Sequence, residues 1–281
     1  MVSAISLVLK APAAILAFAL LATVQAAGNA RAQQAVDLEL VLAVDTSGSI
    51  DVEETMLQRD GYRAALSSDE VILAVTAGPL GRIALAYVEW AGAGTARTVV
   101  DWRLIDGRAA ADAFLADLDR SWPQTGQRTS ISGVIEHVLP MFEANGFSGA
   151  RRIIDISGDG PNNNGMPVLT ARERASAAGV GVNGLVILNN QPGPEGFPVL
   201  EDLDIYFEEC VITGPGAFVL AADGFADFGR AIRRKLVLEI ADLAPRRQPG
   251  SGLRAYPVRS YDCLVGERQL REWLRNNPFD P

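Results

Sequence analysis

From Leu38 to Val44 the chain is apolar at every position except Glu39, and it then breaks into Asp45-Thr46-Ser47-Gly48-Ser49. No other stretch limits the fold as strongly. A short apolar run closed by a turn suits a strand buried on both faces of a parallel sheet. Beyond the small residues, Asp51 and Glu54 stand at capping-box spacing and announce a helix. Asp45, Ser47 and Ser49 therefore fall at the carboxyl end of a central strand, where open α/β sheets bind their ligands. One carboxylate and two hydroxyls offer only hard oxygens. Such a set suits a divalent cation, Mg²⁺ first, with Mn²⁺ and Ca²⁺ as alternatives.

The rest of the chain repeats the alternation. A helix is expected over Val52–Leu66, then an apolar segment from Val71 to Ala77 and a turn at Gly78-Pro79-Leu80-Gly81. Strands are expected at Ile83–Trp90 and Thr95–Trp102. The short Ala91–Gly94 connection makes them a hairpin, with the antiparallel member towards one edge of the sheet. Helix follows at Arg108–Leu118 and again from Ser130, where Ile131, Val134, Ile135, Val138 and Phe142 form a stripe that Pro140 kinks or cuts short. His137 lies off that stripe and reads as a solvated helix residue. Further on come a strand at Ile153–Ser157, a helix at Val168–Ala178 ended by Gly179, and a strand at Val180–Leu188. A helix at Glu201–Cys210, a short strand at Ala217–Leu220 and a helix at Phe225–Ala241 complete the series. Such alternation predicts a doubly wound, Rossmann-like α/β domain over residues 36–242, a three-layer sandwich whose mostly parallel sheet carries one antiparallel strand near its edge.

The two ends read differently. Lys10, the apolar stretch Ala13–Val24 and Ala30-Arg31-Ala32 form the pattern of a secretory signal peptide over residues 1–32, with a second cleavage pattern at Val24-Gln25-Ala26. The competing reading is a membrane anchor, although the stretch is shorter than the ~20 residues a spanning helix needs. Export to the periplasm or the medium is therefore expected, with no membrane span in the mature chain. The formal charge is −9, and cleavage after Ala32 would remove two more cations. That balance disfavours nucleic acid and anionic lipid as partners. Residues 243–281 read as a linker and tail, opening with the Pro/Gly-rich 245–252. Between 245 and 281 there are seven Arg against four acids, and Gly266–Arg275 is a candidate helix with Leu270, Trp273 and Leu274 on one face. The only two cysteines, Cys210 and Cys263, form a disulfide candidate that would fasten the tail to the domain. So few cysteines and a single histidine argue against a zinc site.

Three strand ends now offer oxygen ligands: Asp45/Ser47/Ser49, Thr129 ahead of its helix, and Asp159 in the Gly158-Asp159-Gly160 turn. Asp45, Ser47 and Ser49 alone are also the residues that cap a helix at a strand-to-helix turn. With Thr129 and Asp159 in order, the pattern resembles the metal-ion-dependent adhesion site of von Willebrand factor type A (vWA) domains, and the likeness covers residues 36–242. The resemblance implies that Ser47 and Ser49 bind the metal directly. Thr129 would bind directly or through water, and Asp45 and Asp159 mainly through bound waters. Gly158 departs from the pattern, because the family often has Thr there, but this is expected to leave the ligand intact. The turns Ser157–Asn163 and Gly214–Phe218, with the leader, are similar to those of exported bacterial vWA-like proteins of undefined function. Asp155 lies inside its strand and is not assigned to the metal; it is either a buried paired acid or solvent-facing. The Asn162–Asn164 run has no role assigned.

The resemblance implies a non-catalytic binding module that engages the acidic side chain of a protein partner through the cation. Two other readings compete. A Mg²⁺-dependent phosphoryl-transfer hydrolase would use Asp45 as nucleophile, yet the residue two positions on is Ser47, where a second acid would be needed. A purely structural metal would have a full coordination shell.

Overall fold

The computed structural model describes residues 33–189, 196–243 and 261–277. The expected signal peptide at 1–32 and the linker at 245–252 lie outside the described residues. The elements run β1 (Gln34–Val36), β2 (Glu39–Asp45), α1 (Val52–Leu66), α2 (Asp69–Thr76), β3 (Ile83–Trp90), β4 (Arg97–Ile105), α3 (Arg108–Asp119) and α4 (Ile131–Val138). They continue with β5 (Phe147–Gly149), β6 (Arg152–Gly158), α5 (Val168–Ala177), β7 (Gly181–Ile187), α6 (Leu203–Tyr206), β8 (Val219–Ala222), α7 (Phe225–Ile240) and α8 (Val265–Asn276).

Six strands form the central sheet in the order β4-β3-β2-β6-β7-β8, and β2 sits inside it. Every pairing is parallel except β3–β4, which places the antiparallel member at the edge as expected. All seven residues of β2 are buried, because helices cover both faces. Along β2 the side chains alternate. Val41 and Ala43 pack with the α4 stripe of Ile131, Val134, Ile135 and Val138 and with Val168, Ala171 and Ala175 of α5. Leu40, Leu42 and Val44 pack with Tyr62 of α1, Phe114 of α3 and Phe228, Ile232 and Leu236 of α7. This is the three-layer sandwich that the alternation predicted. Glu39, the one polar residue of the run, is buried and satisfied by Gly149 N–H at 2.6 Å and Asn145 Nδ2 at 2.5 Å.

Several expected elements are displaced for local reasons. The apolar segment from Val71 to Ala77, whose type the sequence left open, is the body of α2 with Ala77 as its C-cap, and Ser68 caps the N-terminus by accepting from Val71 N. Strand β4 begins at Arg97 rather than Thr95, because the Thr95 hydroxyl belongs to the turn: it accepts from Ala91 N and donates to Gly92 O. Helix α4 ends at Val138, ahead of Pro140, and passes into a 3-10 turn at Leu139–Phe142. The helix expected at Glu201–Cys210 is instead the short α6 followed by a π-turn at Phe207–Val211. Strand β8 starts two residues late, after a turn that places Gly214 and Gly216 at positive φ. His137 is half-buried rather than solvated, with its Nε2 3.1 Å from the Thr98 hydroxyl. The pair β1–β5, a small parallel sheet, had no sequence signal.

Candidate metal centre

The turn after β2 is held from below and behind. Gln58 of α1 donates Nε2–H to Asp45 O at 3.0 Å, Thr46 N–H extends the ladder to Trp90 O at 2.8 Å, and Ser47 N–H donates to Asp45 Oδ1 at 2.7 Å. The capping box closes α1: Glu54 N–H donates to Asp51 Oδ1 and Asp51 N–H to Glu54 Oε2. Capping of this helix thus belongs to Asp51, which leaves Asp45, Ser47 and Ser49 free for another role.

All five expected ligands converge. Ser47 Oγ and Ser49 Oγ are 3.2 Å apart, Thr129 Oγ1 lies 3.5 Å from Ser47 Oγ, and Ser49 Oγ donates to Asp159 Oδ1 at 2.7 Å. Neighbouring ligands of an octahedral Mg²⁺ bound at roughly 2.1 Å lie about 3.0 Å apart, and these oxygen spacings bracket that value. Asp45 is fully buried and its second oxygen, Oδ2, has no hydrogen-bond partner. An unmatched buried carboxylate oxygen is costly unless a cation answers it. Burial, and next the charge of Asp159, raise the Asp45 carboxyl well above the usual range. Burial lifts Asp159 to about 6, and the charge of Glu54 adds to it, against the lowering effect of the Ser49 hydrogen bond. Two acids pressed towards neutrality around three hydroxyls form a site that a dication would relieve. The donor set fits Mg²⁺. Among the described residues no group of three or more His, Cys, Asp and Glu is placed to hold a metal, so a cation here relies on the hydroxyls.

Other residues shape the site without a signal that named them. Buried Glu89, at the end of β3, takes Arg59 Nε–H at 2.9 Å and Arg97 Nη2–H at 2.8 Å, while Arg59 Nη1–H reaches Ser121 O. This network pins the loop that leads to Thr129. Arg128 has φ 67°, a left-handed conformation that is uncommon outside glycine. Hydrogen bonds on both sides enforce it, from Gly126 N to Thr46 O and from Thr129 N to Asn163 Oδ1, each 2.9 Å. Gly158 is not a neutral neighbour: a Cβ there would stand 3.0 Å from Asp45 Oδ2. Asp155 is resolved as the buried, paired alternative, bound to Lys235 of α7.

A family model described as Protein of unknown function (DUF1194) matches residues 35–244. No curated protein matches the chain. Among solved structures it is similar to proximal thread matrix protein 1 from the mussel byssus, in a form with a zinc-occupied MIDAS motif, at 20% identity and TM-score 0.53, over 75% of this chain and 49% of that one. It is also similar to the pilus adhesin SpaC from Lactobacillus rhamnosus GG in its open conformation, at 14% identity and TM-score 0.54, over 75% of this chain and 31% of that one. The chain thus spans half the length or less of these two proteins. At such identities the likeness concerns the fold, which is vWA-like.

Proposed function

The chain belongs to the DUF1194 family of proteins of unknown function, and from that premise we propose that its vWA-like domain is an exported module that binds a protein partner through a divalent cation. Asp45, Ser47, Ser49, Thr129 and Asp159 would hold the ion, Mg²⁺ in the first instance. The carrying observation is the buried, unpartnered Asp45 Oδ2 beside four further oxygen-bearing side chains. The zinc in the mussel protein's MIDAS motif supports a divalent cation in this position. A mainly neutral set of hydroxyls and waters leaves the ion electrophilic, so that an acidic side chain of the partner can replace a water. Arg128, half-buried and without an ion-pair partner among the described residues, adds positive charge next to Thr129 for the incoming carboxylate. No helix among the described residues is long and apolar enough to cross a membrane, and the leader pattern at 1–32 supports export.

The site is proposed as non-catalytic, because its two acids are used as a pair around the ion and the position two after Asp45 is a hydroxyl. Calorimetric titration with Mn²⁺ should give one saturable site in the wild type and none in Asp45→Ala. Capture of a partner from the exported fraction should be abolished both by EDTA and by that substitution. Capture indifferent to both would refute the cation-bridged mechanism. Phosphate-ester hydrolysis lost in Asp45→Asn would replace it with the enzyme reading.

A further inference from the structure

The Asn162–Asn164 run follows the Asp159 turn, and its side chains knit the strand-end loops together. Asn163 makes a two-rung link to Thr129: its Oδ1 accepts Thr129 N–H at 2.9 Å, and its own N–H donates to Thr129 O at 2.9 Å. Asn162 is fully buried, and both polar atoms of its side chain are bonded. Its Oδ1 accepts from Ser132 N at 2.9 Å in the first turn of α4, and its N–H donates to Tyr206 OH at 3.1 Å. Its Nδ2 donates to Met166 O at 3.2 Å and to Glu267 Oε1 at 2.8 Å. Glu267 belongs to α8, in the C-terminal tail.

Helix α8 presses directly on this loop. A Cβ on Gly266 would come within 2.2 Å of Asn162 O, so only glycine allows the approach. The Cys210–Cys263 disulfide holds the start of the helix, and Tyr261 meets Tyr206 edge-on with ring centroids 6.1 Å apart. Leu270 and Trp273 are buried on its inner side, and Trp273 also packs against Phe197. The family model ends at residue 244, so this helix lies beyond the matched region.

We infer that α8 is a covalently tethered brace for the cation site, in which Gly266 and Glu267 position Thr129 through Asn162 and Asn163. The inference rests on the cation-binding reading of Asp45, Ser47, Ser49, Thr129 and Asp159. Its physical basis is that groups behind a ligand fix its orientation, and their loss typically weakens metal binding by about 10–100-fold. Glu267 and the two asparagines are positioning residues, since none is itself a ligand.

The test uses the full mature chain as wild type, Gly266→Ala, Glu267→Ala and Glu267→Gln. Hydrogen–deuterium exchange of residues 129–134 is measured without metal, and Mn²⁺ affinity by calorimetry. Glu267→Ala and Gly266→Ala should speed exchange in that segment and weaken Mn²⁺ binding about tenfold. Glu267→Gln keeps an acceptor oxygen for Asn162 and should stay close to wild type in both. Wild-type exchange at 129–134 in a folded Glu267→Ala protein would overturn the brace, as would faster exchange with unaltered Mn²⁺ affinity. If Gly266→Ala does not fold, the two Glu267 variants decide alone. A wild type that binds no Mn²⁺ while exchange still responds to Glu267→Ala would overturn the brace as a device of a cation site, and the fault would lie in the cation reading.

Discussion

Asp45 Oδ2 and the Cα of Gly158 face each other across the top of β2 and β6, and any side chain at 158 must contend with that oxygen. A methyl group there would stand 3.0 Å from the carboxylate oxygen, which must give by a few tenths of an ångström, whereas Trp90 Cζ2 at 3.5 Å is in ordinary contact. The adjustment therefore falls on the Asp45 carboxylate. Gly158→Ala is therefore expected to lower Mn²⁺ affinity about tenfold, on the scale of altered ligand support, with little loss of fold stability. Calorimetry checks the first and urea unfolding the second; unchanged affinity would mean that Asp45 reorients freely. At this scale the candidate ligand types were readable, because a strand-end Asp-x-Ser-x-Ser is a local pattern. The role of Gly158 was not, since it depends on a contact between residues 113 positions apart in the chain.

Helix α7 carries the least expected element-scale feature. Its Lys235, fully buried, binds Asp155 of β6 and reaches Glu239 Oε1 at 2.5 Å, while Asn183 of β7 donates to the same Glu239 oxygen at 2.7 Å. Two buried acids share one cation, and burial with the charge of Asp155 pushes Glu239 up to about 8. The unfolded value is about 4.3. Between those values the folded chain holds a proton at Glu239 that the unfolded chain has released, so this group's contribution to stability falls as pH rises through that window. Below it the contribution is complete. Glu239→Gln keeps the acceptor oxygen without the charge, and should flatten the decline in urea midpoint between pH 5 and pH 8.5. Parallel pH profiles for the two proteins would exclude Glu239 as the source. The helix itself was legible to within one residue, and it packs close to α1 where a Cβ on Gly61 would strike the Phe228 ring at 2.7 Å. Its ion cluster was not legible, because Asp155 and Lys235 are 80 positions apart and neither carries a local mark of its partner.

For the whole molecule, the disulfide fastens residues 261–277 to the domain. It joins residues 53 apart and anchors α8 against the Asn162 loop. Cross-links of that kind commonly contribute about 2–4 kcal/mol by restricting the unfolded chain. The double variant Cys210→Ser/Cys263→Ser should lose stability of that order in urea unfolding, and equal stability would show that packing of Leu270 and Trp273 suffices. Taken alone, the sequence determined the doubly wound class, most element positions and the five candidate ligands. Strand and helix periodicity, capping and strand-end turns act over a few residues and leave their mark there. Tertiary structure alone decided the β1–β5 pair, the Arg59–Glu89–Arg97 and Asp155–Lys235–Glu239 clusters, and the seat of α8 on Asn162. The two ion clusters and the seat of α8 satisfy buried polar or close-packed groups with partners far away in the chain, and the free energy that selects those partners exists only once the core has closed around both.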